Sequence, residues 1–580
     1  MILPNHIVQA ILEYLLNHSE DLKYLVSFIK RYTLISKQWN REIISKLRIK
    51  RSIVIDTTSN EMINTWIYLS DRYGVNYNVI YKKQDRNWNG SFRDKVIAII
   101  LDDVSSGDNE LFSTYSNLKK VTYRVKSIDI KYMSLKLLEP QNDKYSYNIH
   151  AYGNYIYTGD SSSDNIQTSN PSITDILFGK NIFEKIGIMY CNIKFNLPTT
   201  FNNCQFSRLN DLSLNGLMIS KLILSTVLEH SFQLKYLYLE SITITPEDTF
   251  DWVLEKLIPL ENLINIRINV NIKTNFENII SFLNHTKCVE ISIQFGNIQY
   301  QSVSQVLIAH VDNHRIEQFN FQVIDGFTPM NDSLRGYTLL PRWKNKSNLK
   351  EITIYKPDIS ISQSLTGMVN LQSIYIHFNH TSTQESLNNI FELNLPSLEY
   401  FNIVSLDAQI PYVRTESLMM NRYLTALYIS NVNYIECITI LGCNHPTIID
   451  ITFHYLLFTK GDDTQELLNV LKCHQSLRHL QIYSSNIRRI ENDDPITQYN
   501  SIHFTIEILR ENRNYITLSL PPFSKINKSH ISSLETVLSE NHTIQCISLP
   551  FDLTLDSISQ KQKKYHTDII AIFNKYSILF

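Results

Sequence analysis

Glycine is scarce in this sequence. The chain has 14 glycines in 580 residues, whereas an average usage of about 7% would give roughly 40. Folds that cradle phosphates do so on glycine-rich loops, and neither G-x-G-x-x-G nor a complete phosphate-binding G-x-x-x-x-G-K-[ST] pattern occurs. The scarcity therefore argues against a nucleotide-binding enzyme.

Paired cysteines, an excess of one charge and long apolar runs are also lacking. The seven cysteines include no C-x-x-C pair, which argues against a disulfide framework and favours a reducing compartment. With 54 Lys+Arg against 56 Asp+Glu, the chain has no basic excess for nucleic acid. No apolar run of about 18 residues and no secretory signal pattern occurs. We expect a cytoplasmic and/or nuclear protein that binds neither nucleic acid nor a membrane.

A repeated spacing, apolar-x-x-apolar-x-apolar, runs through most of the chain. Its fourteen copies begin at Phe183, Leu209, Leu234, Leu263, Cys288, Ile316, Leu349, Leu371, Leu398, Leu424, Ile448, Leu477, Tyr515 and Ile544. Most steps between copies fall in the range of about 20–29 residues that is typical of leucine-rich repeats. The last two apolar positions alternate as on a strand with one buried face. The pattern therefore predicts one short strand in each repeat.

Segments between the predicted strands carry apolar residues at the three- and four-residue spacing of helices. The clearest are 222–232, 250–260, 276–283, 303–311 and 466–471. A unit of one strand and one helix leaves one face unburied, so successive units must stack. We therefore predict an α/β fold: a leucine-rich-repeat solenoid over 173–580, with a curved parallel sheet backed by helices, preceded by a small three-helix N-terminal module.

Residues 51–157 have a less regular pattern. Strands are predicted at 52–55, 75–81 and 95–101, and a helix at 60–73. Two interpretations stay open: irregular early repeats, or a separate small α/β region. The polar stretch at 158–172, rich in serine, asparagine and aspartate, is predicted to be a loop or linker.

Residues 1–50 have a helical period and no strand alternation. Pro4 fits the first turn of a helix, where its missing N–H costs nothing, and apolar residues follow it at helical spacing. Two further helices are predicted at 21–28 and about 34–47. Three such short helices bury little surface alone, so we expect this module to dock on another surface.

The stretches Leu3-Pro4…Ile7…Ile11-Leu12-Glu13-Tyr14-Leu15 and Leu34-Ile35-Ser36-Lys37-Gln38-Trp39 resemble parts of an F-box. The resemblance covers residues 3 to about 48, and an F-box followed by leucine-rich repeats is a domain order of that family. It implies binding of a Skp-type adaptor, and through it a cullin, in a ubiquitin ligase whose repeats capture a protein substrate. The sequence departs from the compact motif by extra residues between the two stretches, so the second helix or its flanking loops must be longer.

Carried over by this resemblance, the adaptor-binding residues are Leu3, Pro4, Ile7, Ile11, Leu12, Leu15, Leu34, Ile35 and Trp39. Some of them must instead hold the three helices together, and the sequence does not sort them. A second interpretation makes residues 1–50 a helical cap on a protein-interaction scaffold, because solenoids need capping. A third, regulation of a GTPase, is known among leucine-rich-repeat families but has no specific support in these residues.

No pattern of residues predicts catalysis or metal binding. Neither G-x-S-x-G nor H-E-x-x-H occurs. Two cysteines and three histidines cluster at Cys443, His445, His454, Cys473 and His474, but their spacing matches no common zinc-ligand pair. We expect them to have structural roles, and we predict a protein that is not an enzyme and has no cofactor.

Recognition by the strands is the remaining role. Strands line the concave face of a leucine-rich-repeat solenoid, and tyrosine and arginine are enriched where proteins bind most tightly. The predicted substrate-binding residues are Tyr238, Arg267, Tyr375, Tyr428, Gln481 and Tyr483. Apart from its complex, the chain is expected to be a monomer.

Overall fold

The computed structural model describes most of the chain. The described residues are 4–17, 22–33, 35–56, 60–83, 93–102, 114–126, 145–152, 182–189, 206–299, 310–323, 336–378, 384–405, 412–454, 464–483, 500–520, 526–548 and 560–576, with the single positions 112, 177, 456 and 578. Leu3, Leu34, the predicted linker at 158–172 and residues 303–309 of one predicted helix lie outside them. The chain forms two compact units, Met1–Asn278 and Ile279–Phe580.

The first unit begins with helices. They are α1 (Asn5–Asn17), α2 (Leu22–Thr33), α3 (Lys37–Glu42), a 3-10 turn (Ile44–Lys46) and α4 (Asn60–Tyr73). Helix α2 packs on α4, where Leu25, Ile29 and Trp66 are buried. The third predicted helix is shorter than expected at both ends. The Ser36 hydroxyl accepts a hydrogen bond from the amide of Trp39, which starts α3 at Lys37, and the 3-10 turn at Ile44–Lys46 replaces its predicted C-terminal part.

Parallel strands follow in the first unit. They are β1 (Ile53–Asp56), β2 (Val79–Lys83), β3 (Val96–Leu101), β4 (Lys120–Lys126), β5 (Ser146–Tyr152), β6 (Phe183–Met189), β7 (Asp211–Asn215), β8 (Met218–Ser220), β9 (Tyr236–Glu240), β10 (Thr243–Thr245) and β11 (Asn265–Asn275). Strands β1 to β7, β9 and β11 pair in parallel, each with the next. Strands β8 and β10 form a separate parallel pair. Because β5 pairs with β6, residues 51–157 contribute strands to the sheet of the first repeats.

Helices alternate with those strands from residue 221 onward. In chain order they are α5 (Lys221–His230), α6 (Asp251–Leu257) and α7 (Phe276–His285). Their bounds lie within a few residues of the predicted helices. On α5, Ile223, Leu224 and Val227 are buried, so the helix turns its apolar side toward the core.

The second unit repeats the pattern of strand and helix. Its strands are β12 (Glu290–Gln299), β13 (Gln318–Val323), β14 (Glu351–Tyr355), β15 (Ser373–Phe378), β16 (Tyr400–Ser405), β17 (Ala426–Ser430), β18 (Asp450–His454), β19 (His479–Ile482), β20 (Thr517–Ser519) and β21 (Cys546–Ser548). Each pairs in parallel with the next. Its later helices are α8 (Ile361–Leu365), α9 (Gln384–Glu392), α10 (Thr415–Met420), α11 (Tyr434–Gly442), α12 (Thr464–Cys473), α13 (Ser501–Glu511), α14 (Lys528–Glu540) and α15 (Gln560–Tyr576).

The apolar positions of the repeat form the core. Every one of them that the structure describes is buried, in all fourteen copies. Helices cover this side of the sheet: the ring of Phe391 on α9 lies 4.5 Å from the ring of Phe401 on β16. Each fully buried side chain of this kind contributes about 1.5–3 kcal/mol. The parallel strands, the helix backing and the repeat length confirm the predicted leucine-rich-repeat solenoid preceded by N-terminal helices.

The other side of each sheet carries polar and aromatic side chains. On β15, for example, Ile374 and Ile376 are buried, whereas Tyr375 between them is only half-buried. We call this side the open face of each unit. Its side chains are the ones that a ligand bound on the strands would touch.

Candidate functional site

Helix α1 is tied by one side to the chain segment that leads into β1. The Asn17 Oδ1 accepts hydrogen bonds from the backbone amides of Lys50, at 2.7 Å, and Arg51, at 3.0 Å. The Glu13 Oε1 accepts another from the amide of Arg48, at 3.0 Å. These contacts fix the orientation of α1 on the first unit, so its opposite side points away from that segment.

The opposite side of α1 is apolar and exposed. Ile7 is 39% exposed, Ile11 46% and Tyr14 64%, and their spacing of four and three residues places them in one row. Leu12 and Leu16, on the tied side, are buried. We call Ile7, Ile11 and Tyr14 the α1 stripe.

The predicted adaptor-binding residues divide between surface and interior. Ile35, before α3, is 54% exposed, and Pro4 is exposed as well. Leu15 and Trp39 are half-buried. Leu12 is buried inside the module and holds it together, so it is not part of the surface. Tyr14 belongs to the stripe but was not among the predicted residues, although its spacing from Ile7 and Ile11 signals it.

On the open face of the first unit, two predicted residues lie side by side. Tyr238 on β9 is directly opposite Arg267 on β11 in the register. Tyr238 is half-buried, and Arg267 is exposed. The sheet thus brings together two residues that the sequence placed in separate repeats.

Basic residues surround a histidine on the neighbouring strands β4 to β6. His150 lies opposite Arg124 on one side and Gly187 on the other. Burial lowers the pKa of the His150 imidazole, and the nearby Lys185 and Arg124 lower it further. Lys185 pairs with Asp211 at 2.5 Å. Positive charge therefore gathers here, and one carboxylate partly offsets it.

Gly187 is required by the position of that histidine. A Cβ placed on Gly187 would lie 2.6 Å from the Nδ1 of His150, which is closer than atoms in van der Waals contact approach. The imidazole therefore fills the space in which a side chain at residue 187 would stand.

The open face of the second unit carries the remaining predicted residues. Tyr375, Asn402 and Tyr428 lie opposite one another on β15, β16 and β17. Gln481 is on β19, and its Oε1 accepts a hydrogen bond from the hydroxyl of Tyr483 at 2.8 Å. All four predicted residues therefore share one face.

Aromatic rings and imidazoles extend this face. The rings of Tyr375 and Tyr400 have centroids 5.5 Å apart. Tyr355 stacks on His377, with centroids at 4.4 Å and planes within 9°, and burial lowers the pKa of His377. The hydroxyl of Tyr400 accepts a hydrogen bond from the Nδ2 of Asn402 at 3.0 Å. The contacts hold these rings in defined orientations.

Two carboxylates, absent from the predicted site, stand in the same row as Tyr400. Glu351 is on β14 and Asp450 on β18. Burial raises the pKa of Glu351, as does the nearby Glu290. Burial also raises the pKa of Asp450, while His479 opposes the rise. In the described part of the chain, neither carboxylate accepts a hydrogen bond or forms an ion pair.

A set of buried polar side chains, three residues before the first apolar position of a repeat, lies in the turns of the second unit. Its members, the turn ladder, are Asn313, Asn421, His445, His474, Asn512 and Asn541, and all are buried. The Nδ2 of Asn512 donates to the carbonyls of Leu471, at 3.3 Å, and His474, at 2.7 Å. The Nδ2 of Asn541 donates in the same way to the carbonyls of Leu509 and Asn512. The sequence signal for the ladder is an asparagine or histidine three residues before the first apolar position of a repeat.

The side chains of the two histidines in the turn ladder form hydrogen bonds with backbone groups. The Nε2 of His445 bonds the carbonyl of Leu418 at 3.1 Å, and its Nδ1 accepts from the amide of Thr447 at 3.3 Å. The Nδ1 of His474 accepts from the amide of Leu477. Burial lowers the pKa of His474 to about 4, with a further contribution from His445. These contacts give both histidines the structural role expected from the sequence.

Two other kinds of site are absent from the described ranges. No group of three or more His, Cys, Asp or Glu side chains there is arranged to hold a metal ion. No helix in the same ranges has the length and apolar character needed to cross a membrane.

Comparison with known proteins finds likeness in solved structures alone. No family model and no curated protein matches the sequence. An internalin from Listeria monocytogenes aligns over 67% of this chain and 87% of its own, with 13% identity and a TM-score of 0.32. A leucine-rich-repeat protein from Leptospira interrogans covers 80% and 96%, with 12% identity and a TM-score of 0.28. TLR13, solved as a complex with ssRNA13, covers 87% and 89%, with 11% identity and a TM-score of 0.28.

Proposed function

We propose that this chain is a non-enzymatic substrate-receptor subunit of a Skp–cullin–F-box type ubiquitin ligase. In this role the N-terminal module binds a Skp-type adaptor, and through it a cullin, while the repeats bind a protein substrate. The observation that carries the proposal is the exposure of Ile7 and Ile11, in the α1 stripe, on a helix whose other side is hydrogen-bonded in place. Such a row is what a hydrophobic, persistent protein interface needs.

The alternative is a protein-interaction scaffold whose N-terminal helices are a cap. The packing of α2 on α4 and the bonds from Asn17 to the segment before β1 favour this role. The two roles are compatible in one module, because the capping contacts use the buried side of α1. The alternative by itself gives the exposed Ile7 and Ile11 no purpose, and an adaptor interface gives them one.

Replacing both Ile7 and Ile11 by serine is expected to weaken adaptor binding at least tenfold without unfolding the chain. Both side chains are already partly in water, so their loss affects the fold little, whereas fully burying an isoleucine side chain in an interface is worth about 1.5–3 kcal/mol. The measurement is calorimetric titration of the purified full-length chain with a purified Skp-type adaptor.

The matched control replaces Ile359 and Ile435 by serine, since these isoleucines are 62% and 72% exposed in the second unit. This control should bind the adaptor as the unaltered chain does, and circular dichroism should show all three proteins folded. If the folded unaltered chain does not bind the adaptor, or the Ile7/Ile11 variant binds it equally well, the receptor role is wrong and the scaffold role stands.

A further inference from the structure

We propose that the open face of strands β14 to β18 binds a basic segment of a partner protein, with arginine or lysine side chains seated on its tyrosines and between Glu351 and Asp450. This inference names the substrate class of the proposed receptor. It rests on that proposal only for the fate of the bound protein, because the binding itself needs no adaptor.

Charge is the first argument. The described strands β14 to β18 contain two acidic residues and no lysine or arginine. The lysines next to β14 lie in the flanking turns, and one of them, Lys350, pairs with Glu317 at 2.7 Å. The carboxylates of Glu351 and Asp450 are half-buried, and within the described residues neither pairs with a lysine or arginine, although His479 lies opposite Asp450. A half-buried carboxylate with no cation is costly, and an arriving cation would remove that cost.

The aromatic residues are the second argument. Tyr400 stands in the row of strands between Glu351 and Asp450, since Glu351 is opposite Ser373, Ser373 is opposite Tyr400, and Ala426 separates Tyr400 from Asp450. The π-faces of tyrosine rings attract the ammonium and guanidinium groups that carboxylates also attract. Rings and carboxylates in one row therefore select the same kind of side chain.

Hydrogen-bond chemistry points the same way. Within the described residues, the carboxylates of Glu351 on β14 and Asp450 on β18 accept no hydrogen bond, so this part of the face offers acceptors to a ligand. Arginine brings five N–H donors and lysine three, and neither brings an acceptor. A donor-rich, positively charged segment is the complement of this surface.

The geometry sets the length of the segment. Glu351 and Asp450 are four strands apart, which corresponds to about 19 Å at the usual strand spacing. An extended peptide covers that distance in about six residues. We therefore expect a segment with basic side chains distributed over six or more residues, lying across the strands.

Fluorescence anisotropy of a labelled peptide, with the full-length chain and no adaptor, tests the proposal. The probe is (Gly-Ser-Arg)₄. One control peptide is (Gly-Ser-Glu)₄, and the other is the probe with each arginine replaced by the neutral residue citrulline. We expect binding of the arginine peptide only. The double variant Glu351→Gln/Asp450→Asn should weaken it about tenfold, and Tyr400→Leu should weaken it severalfold with no change in net charge.

The control variant Glu261→Gln/Glu416→Gln removes two exposed carboxylates elsewhere on the chain and should bind within twofold of the unaltered protein. The Glu351/Asp450 variant should keep or raise its melting temperature at pH 7, because it removes half-buried charges, so lost binding would not reflect unfolding. Equal weakening by the control, tighter binding of the glutamate peptide, or no binding of the arginine peptide would overturn the inference. None of these results depends on whether the adaptor binds the α1 stripe.

Discussion

Replacing Asn512 by alanine is expected to lower the free energy of unfolding by about 3 kcal/mol. The side chain is 4% exposed, and it holds the carbonyls of Leu471 and His474 with its Nδ2 and the amide of Asn514 with its Oδ1. Alanine would leave the carbonyl of His474 and the amide of Asn514 without these partners, at about 1–3 kcal/mol each before relaxation. The carbonyl of Leu471 would keep the hydrogen bond from the Tyr515 hydroxyl. Urea unfolding followed by circular dichroism measures the loss.

The matched control for this substitution is Asn514→Ala. Asn514 also donates to a carbonyl, that of Gln475 at 2.9 Å, but its side chain is exposed. Water can replace an exposed bond, so we expect a change within about 0.5 kcal/mol. Equal losses from the two substitutions would show that burial in the turn ladder adds nothing to the strength of its hydrogen bonds.

Acidification is expected to destabilise the chain through His474, by about 2 kcal/mol between pH 7.5 and pH 5. The folded state holds this imidazole neutral, with a pKa of about 4, against about 6.5 in the unfolded chain. The pKa of His474 is lower in the folded state, so protonation favours the unfolded chain. The free energy of unfolding therefore keeps its full value above pH 6.5 and decreases as the pH falls from 6.5 toward 4. A proton on Nδ1 would also face the amide of Leu477 that this atom now accepts from.

The variant His474→Asn isolates this effect. Asparagine occupies the equivalent turn position at Asn512 and Asn541, so it should preserve the ladder and remove the titrating group. The measurement is urea unfolding of both proteins at pH 7.5, 6 and 5, and their difference cancels the titrating groups that do not interact with His474. The nearby His445 does interact with it, so the difference reports on this histidine pair. His314→Asn, at an exposed position, should keep the full pH dependence. If His474→Asn retains it as well, the assignment to His474 is wrong.

The sequence predicted the fold because the signal for it is a repeated apolar spacing. Each copy of that spacing predicts the buried side chains of its own strand. An irregular copy therefore does not change the prediction for the next strand. The turn ladder escaped notice because its position accepts either asparagine or histidine. Each repeat that contributes to the ladder has one such polar residue, and it is either asparagine or histidine. A single polar residue of variable type does not show in a pattern of apolar positions.

The candidate sites were predicted only in part. Tyr375 and Tyr428 were found because they stand between the last two apolar positions of their repeats. Glu351 and Asp450 stand one residue before the second apolar position, which faces the same side of the strand but was not considered. On α1, Leu12 and Ile11 are neighbours of similar character, and only the packing of the module shows that one is buried and the other exposed.

The contact between His150 and Gly187 couples the adjacent strands β5 and β6. The imidazole on β5 occupies the space that a Cβ on residue 187 would need. A side chain at residue 187 requires the imidazole to move or residue 150 to be smaller. The two positions are therefore sterically coupled, and alanine at 187 should destabilise the chain less when residue 150 is also small.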